Sequence, residues 1–431
     1  MAEQVSSLKT NIAYKDTAIG KIPVDWEVVK LGYIASLRNG INFDKEQKGE
    51  RGILTVDVLN MYSPSIFIDS SNLYRVDLDP ISKKDYILKE GDILFVRSSV
   101  KREGIGWVTL FKPFDEEATF CGFIIRARLT DKRIYPEFLA YFLRYGKTRG
   151  RLISESGHAA ITNISQDTLQ NLGIVVPPPV EQKKIAEILA KIDGAIEKTA
   201  QVIEKTKELK KGLMQKLLTR GIGHKKFKMT EIGEIPEWWQ VVKLKDIVQR
   251  FYNGGTPDTK NDKYWDGNIP WITGADFENQ KVSRIRRNVT QEGVENSSTN
   301  IIPKGNLLVV TRTGVGKLAI APFDIAISQD ITGIIFNSDK AVTGYVYWYL
   351  DHKANRSKSI IQGTSINGLL RGDLEAFSIP LPSVKEQEEI ASILFSIDDE
   401  IERESSHKEQ LEIVKKGLME VLLTGKLRVA V

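Results

Sequence analysis

PPPVEQKKIAEILAKIDGAIEKTAQVIEKTKELKKGLMQKLLTRG, residues 177–221, reads as one long helix, and the chain carries it twice. The second copy is PSVKEQEEIASILFSIDDEIERESSHKEQLEIVKKGLMEVLLTG, residues 382–425. Glu181 matches Glu386, Gln182 matches Gln387, Asp193 matches Asp398 and Met214 matches Met419, always 205 residues apart. Prolines precede both starts, where a missing N–H costs nothing. Ser383 and Glu386 have the spacing of a capping box, and Pro178 stands where the first copy would need that serine. Gly221 and Gly425 fit helix stops.

The apolar residues predict a narrow seam for one partner helix. Ile185, Leu189, Ile192 and Ile196 match Ile390, Leu394, Ile397 and Ile401, and Leu209, Leu213 and Leu217 match Val414, Leu418 and Leu422. The middle of the seam is polar, with Thr199 and Thr206 in one copy and Glu404 and Lys408 in the other. Two ordinary amphipathic helices in separate cores are the plainer alternative. Gly212 and Gly417 sit inside the helices at matched positions, where Gly costs up to about 1 kcal/mol against Ala. Their retention predicts a close backbone approach, at a helix crossing or a docked partner.

The repeat extends outward. TAIGKIPVDWEVVKL (17–31) and TEIGEIPEWWQVVKL (230–244) share Gly-x-Ile-Pro-x-x-Trp, a turn leading to a strand that packs its tryptophan. LKEGDILFVR (88–97) pairs with IPKGNLLVVTR (302–312), and further β-branched runs follow in the same order. Each half then shows an aromatic helix ending in basic residues, a Gly-containing connection, a short strand and the long helix. The expected fold is therefore mixed α/β (α+β): two similar domains, residues 1–176 and 222–381, joined by an antiparallel two-helix coiled coil of residues 177–221 and 382–431. About 38 helical residues make a rod of roughly 55 Å, a ruler between two platforms.

The 431 residues suffice for two or three domains. With 41% hydrophobic and 27% charged residues and a net charge of +5, the chain is an ordinary soluble protein whose charge alone does not imply nucleic acid. There is no apolar run of membrane length and no signal-peptide pattern, and Cys121 is the sole cysteine. These features point to a reducing, cytoplasmic setting.

The two Gly-x-Ile-Pro-x-x-Trp openings, the two turns before the strands, and the exits into EQKKIAEIL and EQEEIASIL together resemble the specificity subunit of a type I restriction–modification system, over nearly the whole chain. That resemblance implies two target recognition domains, each reading half of a split sequence in double-stranded DNA. It implies a coiled coil that sets the gap and docks two methylation subunits, with restriction subunits joining them. Catalysis would then belong to the partners, and no cofactor is expected.

The residues carry no catalytic motif of their own. Val176-Pro177-Pro178-Pro179 lacks the flanking groups of an amino-methyltransferase motif, and TRTGVGKL (311–318) lacks the first Gly and the last Ser/Thr of a phosphate loop. PDTKNDK (257–263) is a solvated loop rather than a nuclease site, and the four histidines have no zinc spacing.

Duplex binding needs Lys and Arg on phosphates and side chains on base edges. The candidates are Arg97, Ser98, Ser99, Lys101 and Arg102 in one basic loop, and Arg312, Thr313 and Lys317 at the corresponding place in the second half. Arg284, Arg286 and Arg287 form a third cluster, with Arg284 and Arg286 flanking Ile285 as on one face of an exposed strand or hairpin. A matched pair of polar turns adds Gly157, His158, Thr162 and Asn163, and Gly363, Thr364, Ser365 and Asn367. For each residue the alternative is a solvated charged loop or a strand cap. Two other readings of the chain remain: a pseudo-dimeric coiled-coil scaffold that binds only proteins, and a self-sufficient nuclease or ATPase.

Overall fold

The computed structural model describes residues 13–78, 84–99, 101–154, 162–312, 315–356 and 371–429. They form two compact units: residues 1–200 with 406–431, and residues 201–405.

Each unit is built on the same frame. In the first, an antiparallel sheet runs in the order Val108–Leu110, Ile93–Val96, Ile124–Leu129, Ala35–Asn39. The second unit repeats it as Leu318–Ile320, Leu307–Val310, Ile331–Phe336, Val248–Asn253. The central strands ILFV and LLVV are buried at every residue because both faces are covered. Ile93 and Phe95 face a helical core while Leu94 and Val96 face a second sheet, and Leu307 and Val309 alternate in the same way with Leu308 and Val310. The second sheets each contain one parallel pair, Ala118–Phe120 on Ile53–Val56 and Ile325–Ile327 on Trp265–Ile272.

The long helices run over Pro179–Arg220 and Val384–Leu422. At 1.5 Å per residue each spans about 60 Å. Within each unit, the N-terminal half of one helix lies antiparallel to the C-terminal half of the other. In the first unit, Asp193 meets Lys415 and Glu181 meets Arg428; in the second, Asp398 meets Lys210. Gly221 and Gly425 take positive φ, 62° and 68°, and stop the helices.

The structure corrects the seam at one register position in both copies. Leu209 and Val414 are 55% and 48% exposed, while the seam positions are Lys210 and Lys415, the residues that reach Asp398 and Asp193. Residues 209, 213 and 217 are spaced by four throughout, and such a row drifts around the helix instead of following a seam. A lysine can line the seam with its stem while its ammonium pairs at the edge. Ile203, outside the expected set, is buried.

The capping box at Ser383 is half formed. Its Oγ accepts from the Glu386 N–H, but the Glu386 carboxylate turns to Trp239 and His224 instead of back to the cap. Gly212 and Gly417 have nothing within 4 Å of where a Cβ would lie, so neither marks a close approach inside a unit.

Candidate nucleic-acid interface

In the first unit, the basic loop begins where the central strand Ile93–Val96 ends. Backbone bonds define its base: the Arg97 N–H donates to Phe123 O and Gly106 N–H to Val96 O, both at about 2.8–2.9 Å. The second unit repeats the frame through Thr311 N–H to Asp330 O at 2.8 Å and Gly316 N–H to Val310 O at 3.1 Å. Gly106 and Gly316 both have positive φ, which lets the chain turn back onto the strand. The loops therefore share a topological position but differ in length, residues 97–105 against 311–315.

The first-unit candidates come together. Ser98 and Ser99 pair antiparallel with Thr162 and Asn163, and the Ser98 hydroxyl donates to Asn163 Oδ1. The sequence treats these stretches as separate turns, whereas the fold makes them one two-stranded platform. Arg97 Nη1 donates to Gly122 O at 3.3 Å, and Lys101 is exposed beside them. The Arg102 side chain and His158 lie outside the described residues.

Two arginines that sequence reasoning passed over lie beneath this platform. The Arg144 and Arg149 guanidiniums stand 4.8 and 4.6 Å from the centre of the Trp107 ring. Arg144 donates to the carbonyls of Val108 and Pro64, and Arg149 to those of Glu103 and Ile105. Neither has an ion-pair partner among the described residues. Burial pulls Arg144 down to about 10, so it remains a cation at neutral pH. Their signal is the basic end of the helix in YFLRYGKTRGRL, which the helix dipole already accounts for.

In the second unit the candidates separate. Arg286 is held by the buried Asp276 carboxylate and by Thr273 Oγ1 at 2.8 Å. Burial raises the Asp276 carboxyl, but its hydrogen bonds to Arg286 and Thr273 outweigh this and leave it below the usual range. Lys317 donates to the carbonyls of Gly274 and Phe277, both at 3.1 Å. Both cations therefore brace the loop around Thr273–Phe277. Arg287 stacks on Trp265 at 3.4 Å, where the β-strand Arg287–Val289 begins, and Arg284 lies before that strand in exposed chain. Arg284 and Arg286 both precede that strand, so they do not share the strand face expected for them. Arg312 is exposed, while Thr313, Thr364 and Asn367 lie outside the described residues.

Among the described residues no His, Cys, Asp and Glu group is placed to hold a metal, and no helix is long and apolar enough to cross a membrane. Cys121 is buried, and burial together with the Asp57 carboxylate pushes its thiol up to about 12.

The type I restriction modification DNA specificity domain model matches residues 23–208 and 236–412. A Methanocaldococcus jannaschii protein described as the type I restriction enzyme MjaX specificity subunit is 33% identical over 96% of this chain and 97% of its own length. The MjaVIII specificity subunit of the same organism is 29% identical over 95% and 94%. A type I restriction–modification S subunit from M. genitalium has the same fold, with a TM-score of 0.62 at 15% identity over 96% of this chain and 97% of its own. With two matched copies of the family domain and full-length relatives, the chain belongs to the type I restriction–modification DNA specificity family.

Proposed function

We propose that this chain is the sequence-specific DNA-binding subunit of a type I restriction–modification complex, non-catalytic itself and working in the cytoplasm. Residues 1–176 and 222–381 are its two recognition domains, each reading half of a split duplex site. Residues 177–221 and 382–431 are the spacer that sets the gap. The observation that carries this reading is the repetition of one backbone frame with different loops at the same strand end. A shared scaffold with divergent basic tips suits two readers of two different sequences better than two copies of one protein-docking surface.

The methylation subunits, and through them the restriction subunits, dock on the spacer helices. Leu209 and Val414, exposed and three residues before the open Gly212 and Gly417, offer matched apolar steps for this. In the first unit a groove of about 670 Å³ beside Gly417 includes Ile413, which is 71% exposed.

Selection of bound duplexes from a random library, with the chain alone and with its methylation subunit, tests the reading. Two constant blocks at a fixed separation are expected. No enrichment in either condition favours the protein-only scaffold.

A further inference from the structure

The first unit carries an apolar rim exactly where the second is polar or small. Beside the basic loop is a groove of about 780 Å³ whose lining includes Leu59, Tyr62, Ser99, Lys101, Trp107 and Phe123. Leu59 is 82% exposed on the short helix Val58–Met61, and Phe123 is 62% exposed in the turn closed by Ile124 N–H on Cys121 O. Neither side chain has a packing reason to be apolar there.

The equivalent positions in the second unit follow from the backbone. Asp57 N–H donates to Asn60 Oδ1 and Thr273 N–H to Asp276 Oδ2, so Leu59 corresponds to Ala275. The bonds of Arg97 and Thr311 onto the facing turn make Phe123 correspond to Asp330.

The surroundings are electropositive. Lys101 stands on the rim and the stacked Arg144 and Arg149 lie against Trp107 below it. Two carboxylates also line the groove. Asp57 is committed to the Val58 N–H and the Tyr74 hydroxyl, and Glu103 is exposed. An occupant must therefore offer anionic groups, hydrogen-bonding edges for Ser99, and small apolar groups for Leu59 and Phe123. In the major groove of a duplex, the thymine 5-methyl is the apolar group presented among base-edge donors and acceptors.

We infer that Leu59 and Phe123 are specificity-determining residues that read thymine methyl groups in the half-site of the first unit. This rests on the DNA-binding reading above and adds the chemistry of one half-site. The second unit, with Asp330 in place of Phe123 and only the single methyl of Ala275 in place of Leu59, lacks this large apolar rim.

The test uses the full chain with its methylation subunit and the selected bipartite duplex, replacing each thymine in turn by deoxyuridine, which lacks only the methyl. In one half-site, at least one replacement is expected to raise Kd about three- to fivefold, the worth of one buried methyl. Leu59→Ala with Phe123→Ala should erase that penalty, and their exposure makes loss of folding avoidable, as an unchanged Tm will show. A half-site pair without thymine, replacements that change nothing, or a penalty that survives in the variant overturns the inference while leaving split-site binding intact. A variant that loses the methylation subunit but keeps its base preferences identifies a protein-docking surface and also overturns it. Absence of any specific duplex binding removes the underlying reading instead.

Discussion

The two units lock the start of a long helix with the same first bond and a different second one. Trp26 Nε1 donates to Glu181 and Trp239 Nε1 to Glu386, both at 3.0 Å. Three residues beyond each terminal glycine stands a basic side chain for that carboxylate: Arg428 after Gly425, His224 after Gly221. Arg428 grips Glu181 at 2.6 and 2.8 Å and Asp25 at 2.9 and 2.7 Å. His224 makes one contact of 2.8 Å to Glu386, helped by the Ile222 N–H at 2.9 Å. A guanidinium presents a planar fork of donors that can hold two carboxylates at once, whereas one imidazole nitrogen makes a single contact. What is shared, the tryptophan and the glutamate, is what orients the helix on its unit. The basic side chain only has to satisfy the remaining carboxylate oxygen, so its chemistry diverges between the units.

That difference is expected to give the largest asymmetry in stability. Arg428→Ala leaves the buried Glu181 with one donor and should destabilise its unit by about 2–4 kcal/mol. His224→Ala leaves Glu386 with Trp239 and a backbone N–H and should cost about 1 kcal/mol. Amide exchange under denaturant, resolved near Trp26 and Trp239, measures the two separately, and equal costs break the comparison.

The seam should behave in the opposite way. Asp193–Lys415 at 2.5 Å and the Asp398–Lys210 pair repeat one ion pair, with the lysines 21% exposed in both, although Asp193 also accepts from the Tyr141 hydroxyl at 2.8 Å. Lys415→Ala and Lys210→Ala should each cost about 1 kcal/mol, within about 0.5 kcal/mol of one another. A much larger loss for Lys210→Ala would credit the added contact of Lys210 with Trp348, whose ring centre is 4.5 Å from Nζ.

The smallest expected effect is in acid. Glu420 bonds Lys426, Tyr145 and Lys147, and these partners bring its carboxyl from 4.5 to about 2. Its stabilising contribution is therefore complete above pH about 4.5 and is lost as pH falls towards 2. The matched residue 205 positions earlier is Gln215, which cannot titrate. Glu420→Gln should flatten the dependence of Tm on pH in that window for the first unit; an unchanged slope would remove Glu420 from the acid response.

Much of the frame was legible in the residues alone. The Gly-x-Ile-Pro-x-x-Trp openings, the β-branched strands and the glycine stops each depend on local conformation or period, and both units realise them. The candidate contacts were legible as basic loops, but not as free or committed ones. Arg286 and Arg284 look alike in a string; whether a guanidinium faces solvent or a buried Asp276 depends on which distant segment folds over it.

By itself, then, the sequence determined the duplication, the two long helices and where each begins and ends, because proline, glycine and apolar periodicity act within a few residues. Only the tertiary structure decided that Lys210 and Lys415, not Leu209 and Val414, occupy the seam. It also joined Ser98 to Asn163 and stacked Arg144 and Arg149 on Trp107. These outcomes depend on long-range packing and on where the opposite charge of a partner element lies, and neither is encoded in local spacing.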